Sequence, residues 1–599
     1  MIRLADYVMN RIAEAQIDHL FYVPGAQCFF LTDALRKSKS IKAVSVHHEQ
    51  SAAMAALSYS TINEKLGALL VTTGCAGTNT LTGVLHAYQD SIPLLVISGQ
   101  QNYVNTIKAS GLPLRQVGIQ ETDIETLVKP ITKYAITVDN PKDIAYHLDK
   151  ALFEARTGRK GPVWVDIPLN VQNSMIDEKS LHRFEVQEKL YKTESADLEY
   201  VVSKLSDAKR PVLLIGNGIR SAGAKDLIKE VSHKYKLPVV MSRLAADIIP
   251  YDDEFNFGLI GGVAGANRYA NFIVQNSDLV LSIGSRLSIE VTGPSRKDFA
   301  REAVKIVVDI DAIEHSKNGV NIDKFINTDA KEFLEKLLNC NIKQADSSWL
   351  DTCRHWHQIF DYNEIQDENK AIDMKLFMRK VSSIAPDFTC YLSDAGFTGA
   401  AAPAATFLRA GQRFVLALSQ GEMGFTIPGA CGAAVLSKGP VVAYTGDGSA
   451  MMNLQELQTI TRNQFNIKIV IINNNGYSSI RHGQKAFFRD KLIGSDSSNG
   501  LTLPSFEKIA HAFDIRYVQI NKFDEIEQQM KDVFSDNKPC LVEVFTDPEQ
   551  FELHNGLAIY GKRKVGFRPI EDQSPYIDRD LFFKEMIVKP MDTSSGTPM

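Results

Sequence analysis

The chain has 599 residues, of which 44% are hydrophobic and 23% are charged, and its formal net charge is −5. These values are ordinary for a globular protein, and the length predicts three or four domains because one hydrophobic core does not grow that large. The slightly acidic balance excludes the basic footprint of a nucleic-acid-binding protein, so we expect small molecules and other subunits as partners.

The cysteines and the apolar segments indicate an intracellular protein. The seven cysteines are odd in number, widely spaced and without a Cys-x-x-Cys pair, which argues against a disulfide framework and a zinc site. The first residues run directly into a helical pattern rather than an apolar signal segment. No stretch has the apolar length that is needed to span a bilayer. We therefore expect a cytoplasmic protein that contacts no membrane.

Short apolar runs alternate with helical segments in residues 1–176, which predicts a first α/β domain with a parallel sheet. Its predicted strands are 20–23, 43–46, 68–72, 94–98 and 163–166. The charged segment 177–199 is predicted to be a linker.

Glu49 follows one of these strands and precedes a helix of small residues. This is the carboxyl end of a strand, where open α/β sheets bind ligands. A glutamate at such a place is more often a charge in the first turn of a helix that interacts with the helix dipole. The local pattern alone leaves both interpretations open.

Residues 200–340 repeat the alternation and predict a central domain, with strands 212–215, 238–241, 279–283 and 306–308. Gly216 and Gly218 form a Gly-x-Gly after the first of these strands, which is a weak signal for a nucleotide loop. The polar segment 341–372 is predicted to be a second linker.

The most informative residues belong to a third predicted domain, residues 373–550, which is followed by a tail, residues 551–599. The strand 441–444 ends in Thr-Gly-Asp-Gly-Ser, a helical pattern follows, and the strand 467–472 ends in Asn-Asn-Asn-Gly. In a right-handed strand–helix–strand unit both strands end at the same edge of the sheet, so we expect Asp447 and Asn474 to lie close together.

Hard oxygen ligands such as a carboxylate, an amide oxygen and a backbone carbonyl suit Mg²⁺, and glycines allow close approach of a phosphate. Each of the two segments by itself is commonly an ordinary turn or loop. Together, at two strand ends with one helix between them, they predict a diphosphate bridged by a cation.

At these residues the chain resembles the thiamine-diphosphate enzymes, whose motif joins Gly-Asp-Gly-Ser to a later Asn-Asn. The resemblance implies Mg²⁺ ligands at Asp447, Asn474 and the carbonyl of Gly476. It implies that Met423 supports the cofactor in its bent shape, although core packing is an equally simple role for a methionine. Further cofactor contacts are implied at Gly446, Gly448, Ser449 and Tyr477.

Four segments of the first domain, 21–25, 72–79, 87–94 and 161–168, resemble acetohydroxyacid (acetolactate) synthase large subunits. The resemblance implies three parallel-sheet domains with pyruvate oxidase/decarboxylase-like architecture. In that family the equivalent of Glu49 activates the aminopyrimidine ring of the cofactor. The resemblance further implies a homodimer or homotetramer in which the cofactor lies between two copies. Gln120 is implied as a second catalytic residue, and further cofactor contacts are implied at Pro24, Gly25, Thr73 and Asn79.

The same resemblance implies that the central domain binds FAD in a largely structural role. The implied contacts are Arg159, Gly216, Gly218, Gly284, Arg286, Asp309 and Asp329. One stretch departs from the family, because its Gly-Met-His is here Gly-Gly-Val at 261–263. An adenine nucleotide, or an empty site, therefore remains an alternative.

Two departures from the family concern the substrate. Glu290 replaces the arginine that would bind the carboxylate of a keto-acid acceptor, and a carboxylate there would repel a second one. Glu290 turned towards solvent is the alternative. Gly483 falls near the position of a tryptophan in the acceptor pocket, which would leave room for a larger acceptor.

The tail segments 568–575 and 577–580, together with segment 475–481, resemble synthase-like proteins of cell-surface polysaccharide pathways. With the two departures above, this resemblance predicts a carboligase that decarboxylates pyruvate and uses a bulky carbonyl acceptor such as a keto-sugar. Three alternatives remain: an acetolactate synthase with a keto-acid acceptor, a non-joining thiamine enzyme such as a 2-keto-acid decarboxylase or a C–C hydrolase, and a non-catalytic nucleotide-binding or regulatory subunit.

Overall fold

The computed structural model describes residues 1–186, 191–344, 346–362, 365–367, 370–489 and 491–598. These ranges contain three six-stranded parallel sheets, one after another along the chain, which confirms the predicted α/β class and its three parallel-sheet domains. Short parts of the two predicted linkers, 187–190, 345, 363–364 and 368–369, lie outside the described residues.

The first domain has a sheet in the order β3-β2-β4-β5-β7-β6, while β1 and β8 pair separately. β4 and β5 are buried along their whole length, and β4 and the first four residues of β5 are apolar throughout, because helices cover both faces of this parallel sheet. The strands are β1 (Ile2–Arg3), β2 (His19–Tyr22), β3 (Lys42–Ser45), β4 (Gly67–Val71), β5 (Leu94–Gln100), β6 (Tyr134–Thr137), β7 (Pro162–Pro168) and β8 (Met175–Ile176). The helices are α1 (Leu4–Glu14), α2 (Phe29–Lys37), α3 (Glu49–Asn63), α4 (Cys75–Asn79), α5 (Leu81–Gln89), α6 (Ile107–Ser110), α7 (Ile124–Val128), α8 (Ile144–Arg156) and α9 (Leu169–Gln172).

The central domain has a sheet in the order β11-β10-β9-β12-β13-β14. In this doubly wound order the chain adds β10 and β11 on one side of β9 and then β12, β13 and β14 on the other side. Ligands bind at the switch point between β9 and β12, where the order changes side. The strands are β9 (Pro211–Ile215), β10 (Val239–Met241), β11 (Asn256–Leu259), β12 (Leu279–Ile283), β13 (Val304–Asp309) and β14 (Lys324–Asn327). The helices are α10 (Ser195–Asp207), α11 (Gly218–Ser221), α12 (Lys225–Tyr235), α13 (Arg268–Gln275), α14 (Ile289–Thr292), α15 (Ala330–Leu338) and α16 (Ser347–Phe360).

Helix α16 lies inside the segment that the sequence predicts as the second linker. Trp349 and Trp356 on this helix are buried in the core, and Trp349 Nε1 donates a hydrogen bond to the carbonyl of Pro211 at the start of β9. The central domain therefore extends beyond residue 340, because the polar residues of this segment are the outer face of an amphipathic helix.

The third domain has a sheet in the order β16-β15-β17-β18-β20-β19, and a small antiparallel sheet, β22-β21-β23, belongs to the tail. The strands are β15 (Cys390–Ser393), β16 (Arg413–Leu416), β17 (Val441–Gly446), β18 (Ile467–Asn473), β19 (Arg516–Ile520), β20 (Cys540–Phe545), β21 (Leu557–Tyr560), β22 (Lys564–Phe567) and β23 (Thr597–Pro598). The helices are α17 (Met374–Ile384), α18 (Gly396–Ala405), α19 (Thr426–Ala434), α20 (Asp447–Ala450), α21 (Glu456–Asn463), α22 (Ser478–Phe488), α23 (Phe506–Ala512), α24 (Ile526–Val533) and α25 (Arg579–Glu585).

The first and third sheets have the same strand order: counted from the first strand of each sheet, both run 2-1-3-4-6-5. The two domains pack on each other through α3 and α19. Glu64 at the end of α3 also forms ion pairs with Arg220 of the central domain, at 3.1 Å, and with Arg413 of the third domain, at 3.5 Å. All three domains therefore meet near this carboxylate.

Candidate functional site

Asp447 and Asn474 lie at the same edge of the third sheet. β17 and β18 pair in parallel, and Gly446 at the end of β17 is opposite Ile472 near the end of β18. Asp447 begins α20 directly after β17, and Asn474 is the first residue after β18. Asp447 and Asn474 therefore lie at neighbouring strand ends, as the strand–helix–strand pattern in the sequence predicts.

The Asp447 carboxylate is buried and held by the backbone. The N–H of Gly448 donates to its Oδ1 at 2.7 Å, and the N–H of Gly476 donates to its Oδ2 at 2.8 Å. Burial raises the pKa of Asp447 to about 6. Asn474 is also buried, and its Nδ2 donates to Ser478 Oγ at 3.0 Å.

Two of the predicted glycines are required by close contacts. A Cβ at Gly448 would lie 2.2 Å from the Tyr477 ring, so this tyrosine covers the turn after β17. Gly476 has a φ of +103°, and a Cβ there would lie 2.3 Å from the carbonyl oxygen of Ser495. In contrast, a Cβ at Gly446 would make an ordinary van der Waals contact with Thr398 Oγ1 at 3.7 Å, so close packing does not require a glycine here.

Sequence reasoning missed two residues that hold this edge together. Arg481 donates from Nη2 to the carbonyl of Asn474 at 3.0 Å and from Nη1 to the carbonyl of Asn475 at 2.9 Å. Asp394 follows β15 and accepts a hydrogen bond from Ser449 Oγ at 2.7 Å, and burial raises its pKa to about 6. The strand-end rule applied to β15 could have found Asp394, whereas nothing in the local sequence points to Arg481.

Met423 lies on a loop that is anchored to the same edge. It is half-buried, and its neighbour Gly424 donates its N–H to Ser449 Oγ at 2.9 Å. The carbonyl of Gly424 accepts a hydrogen bond from Asn453 Nδ2 at 2.8 Å. These contacts bring the methionine next to the turn after β17.

Glu49 is the first residue of α3, and Asn79 Nδ2 donates to its Oε2 at 2.9 Å, so two of the predicted residues are in contact. The two residues after Glu49 contact Asn453 of the third domain in the same chain, with distances of 3.2 Å to Gln50 Oε1 and 3.3 Å to Ser51 Oγ. The start of α3 therefore faces the segment that follows the Asp447 turn.

The other predicted residues of the first domain lie at neighbouring strand ends. A Cβ at Gly25 would lie 2.3 Å from the side chain of Thr72, and Thr73 Oγ1 donates to Gln100 Oε1 at 2.6 Å. Gln120 has a φ of 60°, its backbone lies against Gly74, and its side chain is exposed. Pro24 is exposed as well.

The central domain contains a cavity of about 500 Å³ at the switch point of its sheet. Gly218 and Gly284 also have a structural role, because their backbones pack closely: Gly218 donates its N–H to the Gly284 carbonyl at 2.9 Å. Asp329 Oδ1 also has a structural role, because it caps α15 by accepting from the N–H groups of Lys331 and Glu332. The seven residues predicted to contact a nucleotide all line this cavity: Arg159, Gly216, Gly218, Gly284, Arg286, Asp309 and Asp329.

Glu290 does not stand alone at the position where the family has an arginine. Its carboxylate forms an ion pair with Arg243, whose side chain is buried. Neither expectation for Glu290, repulsion of an acceptor carboxylate or a side chain turned to solvent, included this cation, which offsets the negative charge of the glutamate. Gly483 lies on α22, and a Cβ there would meet no atom within 4 Å.

Three family models match the chain in succession. Residues 2–125 match the thiamine pyrophosphate enzyme N-terminal TPP-binding domain, residues 198–337 match its central domain, and residues 394–544 match its C-terminal TPP-binding domain. An acetolactate synthase large subunit of Porphyra purpurea is 30% identical over 553 residues, which is 90% of this chain and 90% of that protein. The chain belongs to the thiamine-diphosphate enzyme family.

Other relatives of this thiamine-diphosphate enzyme are spread over distant organisms. An acetolactate synthase large subunit of Lactococcus lactis subsp. lactis is 28% identical and covers 91% of this chain and 93% of its own length. A probable acetolactate synthase large subunit of Methanocaldococcus jannaschii is also 28% identical, over 91% of this chain and 92% of that protein. The enzyme therefore resembles acetolactate synthases along nearly its whole length.

The strand-end site of this thiamine-diphosphate enzyme suits a diphosphate and a hard cation. One carboxylate, one amide and a backbone carbonyl are the oxygen donors that Mg²⁺ prefers, and the start of α20 directly after β17 offers backbone N–H groups to an anion. Within the described ranges no group of three or more His, Cys, Asp or Glu side chains could hold a metal. A cation here therefore depends on neutral oxygens and on the phosphates for its remaining ligands. In the same ranges no helix is both long and apolar enough to cross a membrane.

Proposed function

We propose that this enzyme decarboxylates a 2-keto acid, pyruvate, and joins the remaining two-carbon unit to a carbonyl acceptor. The observation that carries the proposal is the placement of Asp447 and Asn474 at adjacent strand ends of one domain, with Glu49 at the start of a helix in the other cofactor-binding domain. Thiamine diphosphate supplies the electron sink for the decarboxylation when it is bound.

In this proposal each of these residues has one task. Asp447, Asn474 and the carbonyl of Gly476 would hold Mg²⁺ on the diphosphate. Glu49, oriented by Asn79, would hold a proton at its Oε atoms for the aminopyrimidine ring. Met423 would support the cofactor from the loop beside the turn after β17.

The acceptor that we favour is a bulky, uncharged carbonyl compound such as a keto-sugar. Glu290 and Arg243 neutralise each other, so this position offers polar contacts without a free cation for a carboxylate. The open space beside Gly483 supports an acceptor of larger size.

An acetolactate synthase activity, with a second keto acid as acceptor, is the competing proposal. The names of the relatives support it, and so does Arg243, which could bind an acceptor carboxylate if Glu290 moved away from it. The two proposals share the donor half of the reaction and differ only in the acceptor.

The test measures CO₂ release from pyruvate by the protein with thiamine diphosphate and Mg²⁺. Pyruvate alone, pyruvate with 2-ketobutyrate, and pyruvate with an uncharged keto-sugar are compared, and products are identified by mass. Stimulation by the keto-sugar with a joined product supports our first proposal. Joining of two keto acids supports acetolactate synthase activity. Free acetaldehyde that is independent of any acceptor would identify a simple decarboxylase, and no CO₂ release would contradict all three.

We further propose that the central cavity binds FAD in a structural role. Its volume falls within the range of about 300–1,000 Å³ that is usual for ligand pockets. Seven side chains or backbone segments from different strand ends converge on it, among them the cations Arg159 and Arg286. An adenine nucleotide without a flavin ring is the alternative occupant.

We also propose that the enzyme is at least a homodimer whose cofactor lies between two copies. Both cofactor-binding domains expose large apolar side chains, among them Val104 and Ile119 in the first domain. Phe487, Phe488 and Ile493 of the third domain are exposed as well. Apolar patches of this kind are typical of surfaces that another subunit covers.

A further inference from the structure

His86 is a buried imidazole between carboxylates of two different domains. It lies on α5 of the first domain and has no exposed surface. Its Nδ1 is 2.5 Å from Glu422 Oε1 of the third domain, and its Nε2 is 3.2 Å from Asp90 Oδ2. The Nδ1 contact is a hydrogen bond, while the Nε2 contact is an ion pair without hydrogen-bond geometry, so the ring lies between two carboxylates that favour its charged form.

The surroundings of His86 stabilise this charge. Burial alone would lower the pKa of His86, but Glu422 and Asp90 outweigh it and raise the pKa to about 10. Arg243 is the next cation along this array, and it interacts electrostatically with Asp90 while it is paired with Glu290. Negative and positive groups thus alternate from Glu290 to Glu422.

Asp90 and Glu422 depend on His86 for their counter-charge. Both carboxylate oxygens of Asp90, and Oε2 of Glu422, are buried and accept no hydrogen bond from the residues that the structure describes. A buried carboxylate without a partner is strongly disfavoured, so loss of the imidazolium would force one of the two to take up a proton or to move towards water. Of these two carboxylates, Glu422 lies on a loop, while Asp90 directly follows α5.

Glu422 immediately precedes Met423, and Gly424 on the other side is tied to Ser449 and Asn453. The short loop is therefore held at two points, one within its own domain and one by His86 of the first domain. Met423 lies between Glu422 and the anchored Gly424. Any shift of Glu422 therefore moves Met423, because Gly424 is held in place by its two hydrogen bonds.

We propose that His86 is a positioning residue that fixes Met423 against the cofactor by holding Glu422. This inference rests on the proposed role of Met423. The His86–Glu422 contact between the first and third domains, which we call the His86 clamp, holds the loop that carries Met423. Without the clamp, the loop has one anchor, and the cofactor site is less well formed before the cofactor binds.

The test is a cycle of variants read by the affinity for thiamine diphosphate with Mg²⁺, measured by calorimetry well below the unfolding temperature. We expect His86→Gln to weaken binding about tenfold, within the range of coupling between neighbouring residues. In a Met423→Ala background the same change should weaken binding less than about twofold, because the residue through which it acts has been removed. Glu422→Gln should give the same two results, and it carries the test if His86→Gln does not fold.

Two further variants separate positioning from stability. The double variant His86→Gln/Glu422→Gln has two amides that can hydrogen-bond, and we expect it to recover affinity relative to His86→Gln alone. Glu64→Gln is the matched control, since it removes another carboxylate between domains and should lower the melting temperature without changing the affinity.

Equal losses of affinity with and without Met423, or a lower melting temperature with unchanged affinity, would overturn the inference. If wild-type protein binds thiamine diphosphate and the His86 and Glu422 variants bind it equally well, the inference alone fails. If wild-type protein does not bind it, the proposed function fails as well.

Discussion

The N–H of Gly476 donates a hydrogen bond to Oδ2 of Asp447 at 2.8 Å and ties together the ends of two neighbouring strands. With the N–H of Gly448 on the other carboxylate oxygen, Asp447 is oriented entirely by backbone groups of the turns around it. The carboxylate is therefore held as firmly as the sheet edge, and the proposed cation site depends on this one charged side chain.

Asp447→Asn should weaken the binding of thiamine diphosphate with Mg²⁺ by at least about 100-fold, the upper end of the effect that is usual even for indirect contacts to a metal. The amide keeps the volume but loses the charge, and its NH₂ group would face an N–H donor. Calorimetric titration measures the change, with the exposed Asp532→Asn as control. Binding within about threefold of wild type would remove Asp447 from the cation site.

Glu49→Gln should lower turnover by roughly 10²–10⁴-fold, the range that a positioned acid–base group contributes. Glutamine can still accept the hydrogen bond from Asn79, so we expect cofactor affinity to change little. The comparison of kcat with the dissociation constant of the cofactor checks this. Near-normal turnover would exclude Glu49 from proton transfer.

A mixture of the two inactive variants tests whether two copies share each site. If Glu49 of one copy serves the cation site of another, unfolding and refolding equal amounts of Glu49→Gln and Asp447→Ala together should restore about a quarter of wild-type activity, because half of the dimers are mixed and each has one intact site. Each variant refolded alone is the control. No recovered activity in confirmed mixed dimers would place the whole site within one chain.

Arg286→Ala should weaken FAD binding about tenfold or more, as is usual for the loss of a hydrogen bond to a charged partner. Arg286 lines the cavity and also contacts Ser419 Oγ at 2.8 Å, so Ser419→Ala is a control that removes this contact and keeps the cation. Absorbance of flavin that co-elutes with the protein measures binding. Retention of ADP but not FAD by wild-type protein would favour the adenine nucleotide.

Asp166 predicts a dependence of stability on pH. This carboxyl group is buried beside Ser98 and Gln100, and burial raises its pKa to about 7, above its value near 4 in an unfolded chain. Between these two pKa values the unfolded chain has lost a proton that the folded chain keeps, so the contribution of this group to stability falls as pH rises from about 4 to 7.

The melting temperatures of wild type and Asp166→Asn at pH 5 and pH 8 test this. An amide does not titrate, so we expect the variant to lose less stability than wild type between these pH values. An equal loss in both proteins would show that Asp166 is ionised throughout the range.

The sequence allowed prediction of contacts that strand topology determines. Asp447 and Asn474 follow two adjacent strands with one helix between them, so the handedness of the connection left one arrangement. Part of the cavity could be predicted from the same pattern, since Gly216 and Gly284 each follow a strand of one sheet and Asp309 ends a third, whereas Arg159 and Asp329 were implied only by the family resemblance.

Contacts between separate segments could not be predicted in this way. Glu290 lies on α14 and Arg243 on a short 3-10 helix 47 positions earlier, and His86 and Glu422 are 336 positions apart in different domains. Periodicity shows which face of an element is buried, but it does not identify the side chain that packs against that face. The partner of Glu290 and the His86–Glu422 contact therefore had no signal in the sequence.

The shared strand order of the first and third sheets allows equivalent strand ends to be compared directly. β17 is followed by Asp447, whereas the corresponding strand of the first sheet, β4, is followed by Thr72. The two scaffolds therefore agree in their backbones and differ in the chemical groups at their rims, so a pseudo-symmetric body carries an asymmetric set of side chains.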